Sequence, residues 1–246
     1  MSEFKKSIFI FDDQIGRVEY VDHMGTDLTV VNSARVSFGV QKHELSSGDI
    51  KLVKYLIKHK HTSTLEHCSV TLKFTVPLYI RSQHMRHRTW SYNEISRRYT
   101  DKNYQFYTPK EFRTQHESNR QASDPNTLIN PAVYNSQGLG LIPQTFPKAS
   151  ELYLRHCEKS LALFDDLIGA GVCREQARGV LPQTTYTEYY GTVNLNNLLK
   201  FISLRIHEGA QWEIAQVAKA CLEIAKHLYP ISVSAYEEWV YGGKVQ

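Results

Sequence analysis

The 246-residue sequence lacks the features that define several common classes of protein. Its four cysteines are widely separated and form no CxxC pair: Cys68, Cys157, Cys173 and Cys221. This spacing argues against a disulfide scaffold and against a zinc ribbon. The apolar run from Ile8 to Phe11 ends at Asp12, so it is too short for the core of a signal sequence or for a membrane span. We therefore expect a cytoplasmic protein that does not associate with membranes.

Nucleotide-binding loops are also missing. Gly138 and Gly140 lack the third glycine and the preceding strand of a dinucleotide-binding fingerprint. Gly243 and Lys244 lack the upstream glycine and the following Ser or Thr of a phosphate-binding loop. Any cofactor should therefore bind outside a Rossmann domain. The net charge of +4 is too small to indicate a nucleic-acid coat or a basic membrane-binding surface.

A cluster of histidines raises the question of a metal. His59, His61 and His67 lie close to Glu66 in the sequence, but residues two apart on a helix do not share a face. The chain has no HExxH motif and no CxxC pair to complete a zinc site. We expect no metal here. The alternative is a polar loop between a helix and a strand, formed with Ser63, and such loops often bind ligands.

The segment 86–99 is unusually rich in cations, with four arginines, one histidine and a single carboxylate, Glu94. Arginine presents a planar fork that matches phosphates and imide-like oxygens, so this segment could form a pocket for a phosphorylated planar ligand. It could equally be a surface loop whose charges face water. A third reading is a single-stranded RNA binder that stacks bases on Trp90, Tyr92 and Tyr99. Composition leaves these alternatives open.

Two further arginines have more than one interpretation. Arg205 lies between apolar residues on a predicted helix, and a buried guanidinium needs partners. It could pair with Glu208 or Glu213, or it could lie against a ligand and stabilise developing negative charge. Arg178 lies four residues after Arg174 and could be solvated or could reach toward an anion.

Periodicity and breaker residues predict the secondary structure. The predicted strands are 8–11, 18–21, 69–76 and 184–193. The predicted helices are 27–34, 50–59, 78–88, 152–168, 172–181, 195–206, 212–228 and 233–241, the sixth of them capped by side chains from 194–197. The segment from about 101 to 147 is rich in Asn, Gln, Ser, Pro and Tyr, and we expect it to be a long loop-rich insertion.

Several motifs together resemble one enzyme family. Arg86-His87-Arg88, seven further residues and then Ser96 are similar to the RHR-x7-S signature of the flavin-dependent thymidylate synthases. The resemblance extends in order along nearly the whole chain, through the blocks 34–38, 93–99, 174–182 and 204–213.

The resemblance implies a fold, a reaction and a set of partners. The fold would be a single α/β (α+β) domain over 1–246, with a small, mostly antiparallel sheet packed against several helices. It would assemble as a homotetramer with active sites at subunit interfaces. The cofactor would be FAD, and the reaction would methylate dUMP to dTMP with 5,10-methylenetetrahydrofolate as carbon donor and NADPH as reductant. The lack of an evident cysteine nucleophile agrees with this chemistry. No nucleic-acid partner is expected.

The resemblance also assigns residues. The positions matching the nucleotide site are Gln83, His84, Met85, Arg86, Glu94, Ile95, Ser96, Arg97, Arg98, Arg178 and Arg205. Those matching the flavin site are Ser63, Arg86, His87, Arg88, Glu94, Asn194, Asn196 and Lys200, with His61 near flavin and folate. Arg205 takes the catalytic position thought to promote ionisation of uracil N3. Asn196 and Lys200 depart from the residues that other members carry there.

Overall fold

The computed structural model of the protein describes residues 4–96, 98–99, 103–133 and 146–240. Its strands are β1 (Ser7–Phe9), β2 (Arg17–Met24), β3 (Ser69–Pro77), β4 (Ser91–Glu94), β5 (Phe112–Gln115), β6 (Ser123–Ile129) and β7 (Tyr186–Asn194). Its α-helices are α1 (Asp27–Arg35), α2 (Ser47–Lys58), α3 (Leu78–His84), α4 (Ala149–Gly169), α5 (Arg174–Ala177), α6 (Leu195–Ile206), α7 (Trp212–Leu228) and α8 (Pro230–Trp239). Short 3-10 turns cover Val36–Phe38, Thr62–His67 and Arg178–Val180.

The chain divides into two compact units. The first is formed by described residues of the ranges 1–76, 80–94 and 188–246, and the second by those of 77–79 and 95–187. Within the described ranges, no helix is long and apolar enough to cross a membrane.

The first unit is built on a five-stranded sheet with the strand order β1-β2-β3-β7-β4. The pairs β1–β2, β2–β3 and β4–β7 are antiparallel. Strand β3 has the predicted alternation, because Val70, Leu72 and Phe74 are buried between less buried neighbours. Helix α7 contacts β2, and α6 contacts α7. The predicted fold class, a mostly antiparallel sheet packed against several helices, is confirmed.

Helix α6 follows directly from β7 because Asn194 caps it. The Asn194 side chain accepts a hydrogen bond from the backbone N–H of Asn197 at 2.9 Å, as the sequence predicted. Leu195, Leu198 and Leu199 are fully buried, and this apolar face fixes the helix against the core. The orientation of α6 against the core is therefore fixed, and with it the positions of Asn196 in the first turn and Arg205 in the last turn.

A buried carboxylate holds the segment before α2. The Asp49 side chain is fully buried and accepts hydrogen bonds from Arg35 Nε at 3.1 Å and Lys42 Nζ at 2.8 Å. It also accepts from the Ser46 backbone N–H at 2.9 Å, which caps the helix. Hydrogen bonds from Lys42 and Ser46 lower the pKa of this carboxyl far below its ordinary value. The charge of Arg35 is therefore compensated within the fold.

The second unit contains a hairpin that was not predicted and a helix shorter than predicted. The segment 101–147 was expected to be a long loop-rich insertion, and within it β5 and β6 form an antiparallel hairpin. This hairpin has a register shift between Arg113 and Thr114 and many polar residues, so it shows little of the alternation that marks a strand. The predicted helix 172–181 is also too long: α5 ends at Ala177, and the 3-10 turn Arg178–Val180 follows.

The arginine-rich segment differs locally from its prediction. The helix predicted over 78–88 ends at His84, and the unpredicted strand β4 follows. The reason is tertiary: residues 91–94 find a partner in β7 through the register Tyr92↔Gly191, which four residues of sequence cannot indicate. At the N-terminal side, β1 is one residue shorter than predicted and β2 is four residues longer, spanning Arg17–Met24.

Candidate functional site

The turn that follows α3 is anchored by an inward-pointing histidine. His84 is fully buried, and its ring lies 4.5 Å from the Trp90 ring and 4.6 Å from the Phe201 ring, centroid to centroid. Its Nδ1 is 2.8 Å from the Tyr189 hydroxyl. Burial, with smaller effects from the charges of His87 and Arg205, lowers the pKa of His84 well below its ordinary value. His84 is therefore a neutral aromatic anchor, and its predicted contact with a nucleotide would have to come from its backbone.

Tyr92 on β4 closes the turn. Its hydroxyl donates toward the backbone carbonyls of His84 and His87, at 3.0 and 3.3 Å. Trp90, which is buried, lies over Gly191 of β7, where an added Cβ would come within 3.0 Å of the Trp90 ring. The turn is therefore held by an aromatic layer on the sheet rather than by its own charged residues.

The side chains of the turn then separate by exposure. Those of Arg86 and Arg88 are exposed, whereas Met85 and His87 are half-buried. The two arginines thus direct cationic groups toward solvent or a ligand on a rigid backbone. This is the geometry expected of an anion-binding turn.

Arg205, in the last turn of α6, meets this turn at His87. Its Nε donates to His87 Nε2 at 3.0 Å, so His87 must be neutral with its proton on Nδ1. Burial first, and the charge of Arg205 second, lower the pKa of His87 to about 4. The side-chain hydrogen bond of Arg205 within the described part of the chain is to this imidazole, whereas the sequence had also offered Glu208 and Glu213 as partners. Burial also lowers the pKa of Arg205. Because its partner His87 is neutral, the charge of Arg205 remains available to a ligand.

Gln83 and Glu94, two predicted nucleotide-site residues, are each held by neighbours. Gln83 Nε2 donates to Gln211 Oε1 at 2.6 Å, while the buried Gln83 Oε1 has no hydrogen-bond partner among the described residues. Glu94, the last residue of β4, forms an ion pair with Arg81, with Glu94 Oε1 3.3 Å from Arg81 Nε. These contacts orient both side chains before any ligand is present.

The predicted flavin positions of α6 lie near the 3-10 turn Thr62–His67. Asn196 Nδ2 donates to Glu66 Oε1 at 2.9 Å and so ties the helix to that turn, and the buried Asn196 Oδ1 has no partner among the described residues. Ser63 and His61 are exposed at the turn, and Lys200 is exposed one helical turn beyond Asn196. The first turn of α6 also offers the positive end of the helix dipole to an anion.

The second unit carries the remaining predicted nucleotide residues. Ser96 Oγ accepts from the Arg98 backbone N–H at 3.3 Å, and Arg98 Nε lies 3.7 Å from Glu175 of α5. Both charged groups of that pair are largely exposed, so it is weak and easily exchanged for another anion. Ile95 and Arg178 are also exposed. Arg97 lies outside the described residues.

The same geometry bears on the alternatives left open by the sequence. Trp90 is 6% exposed and Tyr92 donates its hydroxyl to the backbone, so two of the three rings of the supposed RNA-stacking platform serve the interior. Among the described residues, no group of three His, Cys, Asp or Glu side chains is placed to hold a metal ion. The site is thus a rigid, arginine-bearing turn that can receive an anionic, planar ligand.

The sequence did not identify Tyr189 and Gln211 as supporting residues of this site, and it offered Tyr92 only as a stacking ring of the RNA-binding alternative. Their roles depend on hydrogen bonds between residues as far apart as Gln83 and Gln211, which a periodic pattern does not reveal. The available signal was that Gln211 falls inside a block, 204–213, that matches the family in sequence.

Fold and site together define a nucleotide-binding enzyme of mixed α/β architecture, and comparison with known proteins names its family. Residues 19–231 match the family model "Thymidylate synthase complementing protein". The chain is 40% identical over 230 residues to the flavin-dependent thymidylate synthase of Thermus thermophilus, covering 93% of this chain and 78% of the relative. It is 36% identical over 228 residues to the enzyme of the same name from Kosmotoga olearia, covering 93% of each. The chain belongs to the flavin-dependent thymidylate synthase family, as predicted.

Solved structures agree with this assignment. The UMP/dUMP methylase PolB from Streptomyces cacaoi, bound with 5-Br dUMP, superposes with a TM-score of 0.74 at 29% identity and covers 90% of this chain. The same enzyme bound with 5-Br UMP superposes with a TM-score of 0.71 at 28% identity. The fold of this chain is therefore similar to that of a UMP/dUMP methylase.

Proposed function

We propose that this chain is a flavin-dependent thymidylate synthase that methylates dUMP to dTMP. The observation that carries the proposal is Arg205, a half-buried cation whose hydrogen-bond partner is the neutral ring of His87. Exposed arginines of the turn, Arg86 and Arg88, lie in the same unit. Membership of the family and the likeness to a dUMP methylase support the choice of substrate.

In this proposal Arg205 is the catalytic residue. Its task is to stabilise negative charge on the uracil as N3 loses its proton. At about 4 Å and an effective dielectric near 20, such an attraction is about 4 kcal/mol. Because His87 is neutral, it orients the guanidinium without cancelling its charge. The substrate is thereby polarised by electrostatics rather than by a covalent nucleophile.

The described residues fit FAD as the cofactor, which would supply the hydride when bound. The proposed flavin contacts combine the cations Arg86, Arg88 and Lys200 with other polar groups, namely Ser63, His87, Glu94, Asn194 and Asn196. The unpaired, buried Asn196 Oδ1 is an acceptor that a bound ligand could satisfy. Asn194 keeps its side-chain oxygen on the helix cap, so it would contact a ligand through its remaining polar groups.

The remaining nucleotide contacts are assigned to two groups. Gln83 and Glu94 have contacts to neighbouring side chains, and His84 and Met85 would contribute through the turn. Ser96 and Arg98 would bind the phosphate, and Ile95, Arg97 and Arg178 would be further nucleotide contacts. The exposed Arg98–Glu175 pair supports this role, because a phosphate can replace the carboxylate at little cost. His61 would lie near flavin and folate.

The proposal also includes the other reactants and the assembly. 5,10-Methylenetetrahydrofolate would donate the carbon and NADPH would reduce the flavin. The chain would work as one functional domain in a homotetramer, with each active site completed by residues of other subunits, and it would act in the cytoplasm.

An absorbance scan of the purified protein tests the enzyme assignment at once. We expect a yellow preparation, or uptake of added FAD, followed by NADPH oxidation that requires dUMP and by formation of dTMP. The RNA-binding alternative instead predicts a colourless protein whose affinity for oligonucleotides falls steeply with salt. A folded sample that takes up no flavin under reconstitution would refute the enzyme assignment.

A further inference from the structure

Two consecutive hydrogen bonds connect three side chains, Glu213 of α7, Gln211 and Gln83, the last of them in the proposed nucleotide-binding region of the first unit. These three side chains are called the hydrogen-bond chain below. Glu213 Oε2 accepts from Gln211 Nε2 at 3.0 Å, and Gln211 Oε1 accepts from Gln83 Nε2 at 2.6 Å. Glu213 is 6% exposed and lies in the first turn of α7, where the helix dipole favours a negative charge. The chain ends at Gln83 Oε1, which is buried and has no hydrogen-bond partner among the described residues.

The chemistry of these groups fixes the direction of every hydrogen bond in the chain. The carboxylate oxygen Glu213 Oε2 accepts a hydrogen bond, so Gln211 presents its amino group to it. An amide has a donor end and an acceptor end, so the Gln211 oxygen then faces Gln83. Gln83 therefore donates its amino group to the Gln211 oxygen, and the Gln83 oxygen points away from Gln211 without a partner among the described residues. The carboxylate thus determines, through two amides, which atom of Gln83 remains unpaired.

We propose that Gln211 and Glu213 are positioning residues that make Gln83 present a hydrogen-bond acceptor to the nucleotide. This inference rests on the proposed function, because it takes dUMP as the ligand. An acceptor selects a donor, which on dUMP is either the imide N–H of the base or a hydroxyl of the sugar. A phosphate oxygen cannot fill that role. Reversing the Gln83 amide would place an N–H where the ligand needs an oxygen.

The effect of the hydrogen-bond chain on nucleotide affinity can be measured by titrating dUMP into the FAD-loaded protein in a calorimeter. Gln211→Leu removes both hydrogen bonds of the middle member, and we expect the dissociation constant to rise about three- to tenfold. Glu213→Gln keeps the shape of the side chain, but a glutamine can donate as well as accept, so the orientation of the Gln211 amide is no longer fixed. We therefore expect a smaller rise in the dissociation constant for dUMP. Gln216→Leu, on the same helix, is the matched control and should bind dUMP like the parent protein.

Three analogues identify the donor and separate positioning from general damage. N3-methyl-dUMP lacks the imide donor, and the 2′,3′-dideoxy analogue lacks the sugar hydroxyl. The parent protein should bind one of them about three- to tenfold more weakly than dUMP, and Gln211→Leu should lose that discrimination. Damage to the fold would instead weaken all nucleotides equally. Deoxyuridine lacks the phosphate, and its affinity relative to that of dUMP should be reduced by the same factor in the parent protein and in Gln211→Leu.

The outcomes are distinct. Equal dUMP affinity in the parent protein and in Gln211→Leu, with both proteins folded and yellow, would overturn this inference alone. A variant that differs from the parent only in its preference for dUMP over deoxyuridine would also overturn it, because Gln83 would then serve the phosphate with its amino end. If the parent protein takes up flavin but binds no dUMP, the proposed function fails and this inference fails with it.

Discussion

Arg35 and Arg205 show two ways in which one fold holds an arginine. Arg35 donates to Asp49, a fully buried carboxylate that also binds Lys42 and caps α2. Arg205 donates to His87, an imidazole whose pKa is lowered to about 4 and which is therefore neutral at physiological pH. Both guanidiniums are partly buried and both are oriented by a hydrogen bond. They differ in whether the partner carries a charge.

That difference separates a structural cation from a functional one. A carboxylate partner compensates the charge of Arg35, so the group contributes to stability and offers little attraction to a further anion. A neutral partner orients Arg205 and leaves its charge to act on whatever binds beside it. The comparison suggests that the partner of an arginine, more than its burial, indicates its role.

The largest expected effect comes from Arg205→Lys. A point charge cannot reproduce the planar fork, so we expect dTMP formation to fall by roughly 100- to 1000-fold. Flavin binding should persist, because the turn is held by His84, Trp90 and Tyr92 rather than by Arg205. Steady-state rates, together with the flavin absorbance of the variant, measure both. Parent-like turnover would remove Arg205 from the mechanism.

A smaller effect is expected when the other arrangement is broken. Asp49→Ala leaves Arg35 and Lys42 without their shared carboxylate and removes the cap of α2, so we expect the midpoint of thermal unfolding to fall by roughly 5 to 10 °C. Turnover per folded, flavin-loaded molecule at low temperature should stay near that of the parent protein. Loss of turnover with unchanged stability would contradict the structural role.

The smallest effect concerns acid. The pKa of His87 is about 4 in the folded protein against an ordinary value of 6.5, so between these values the unfolded chain binds more protons than the folded one. The free energy of unfolding should therefore decrease as the pH falls from 6.5 toward 4. Urea unfolding of the apoprotein at several pH values should show a weaker decrease in His87→Gln, which keeps an acceptor for Arg205 but does not titrate. Identical pH dependence of the free energy of unfolding in both proteins would mean that folding does not lower the pKa of His87.

Much of the first unit could be predicted from sequence because its elements carry strong periodic signals. Strand β3 alternates, α6 is capped by Asn194 and α7 has a continuous apolar face, and each was placed within about two residues. Strand β4 escaped prediction because it depends on pairing with β7, and the β5–β6 hairpin because its polar sequence shows no alternation.

The candidate site divides in the same way. The arginines and histidines could be assigned because they form a compact motif that resembles a family. The partner of Arg205 could not, since His87 lies 118 residues away in the chain. Nor could the inward orientation of His84, which follows from the aromatic residues brought around it by β3, β4, β7 and α6. Which residues belong to the site could thus be predicted, but not how they are held.

The glycine at position 191 has a consequence for anyone who alters this enzyme. Even one methyl group there would come within 3.0 Å of both Phe74 and Trp90, so a substitution would push the indole away from the strand beneath it. The loop that displays Arg86 and Arg88 continues directly into that indole and would move with it. The absence of a side chain at Gly191 of β7 therefore fixes the position of Arg86 and Arg88 relative to the sheet. Mutant libraries meant to change the binding site should keep glycine at this position.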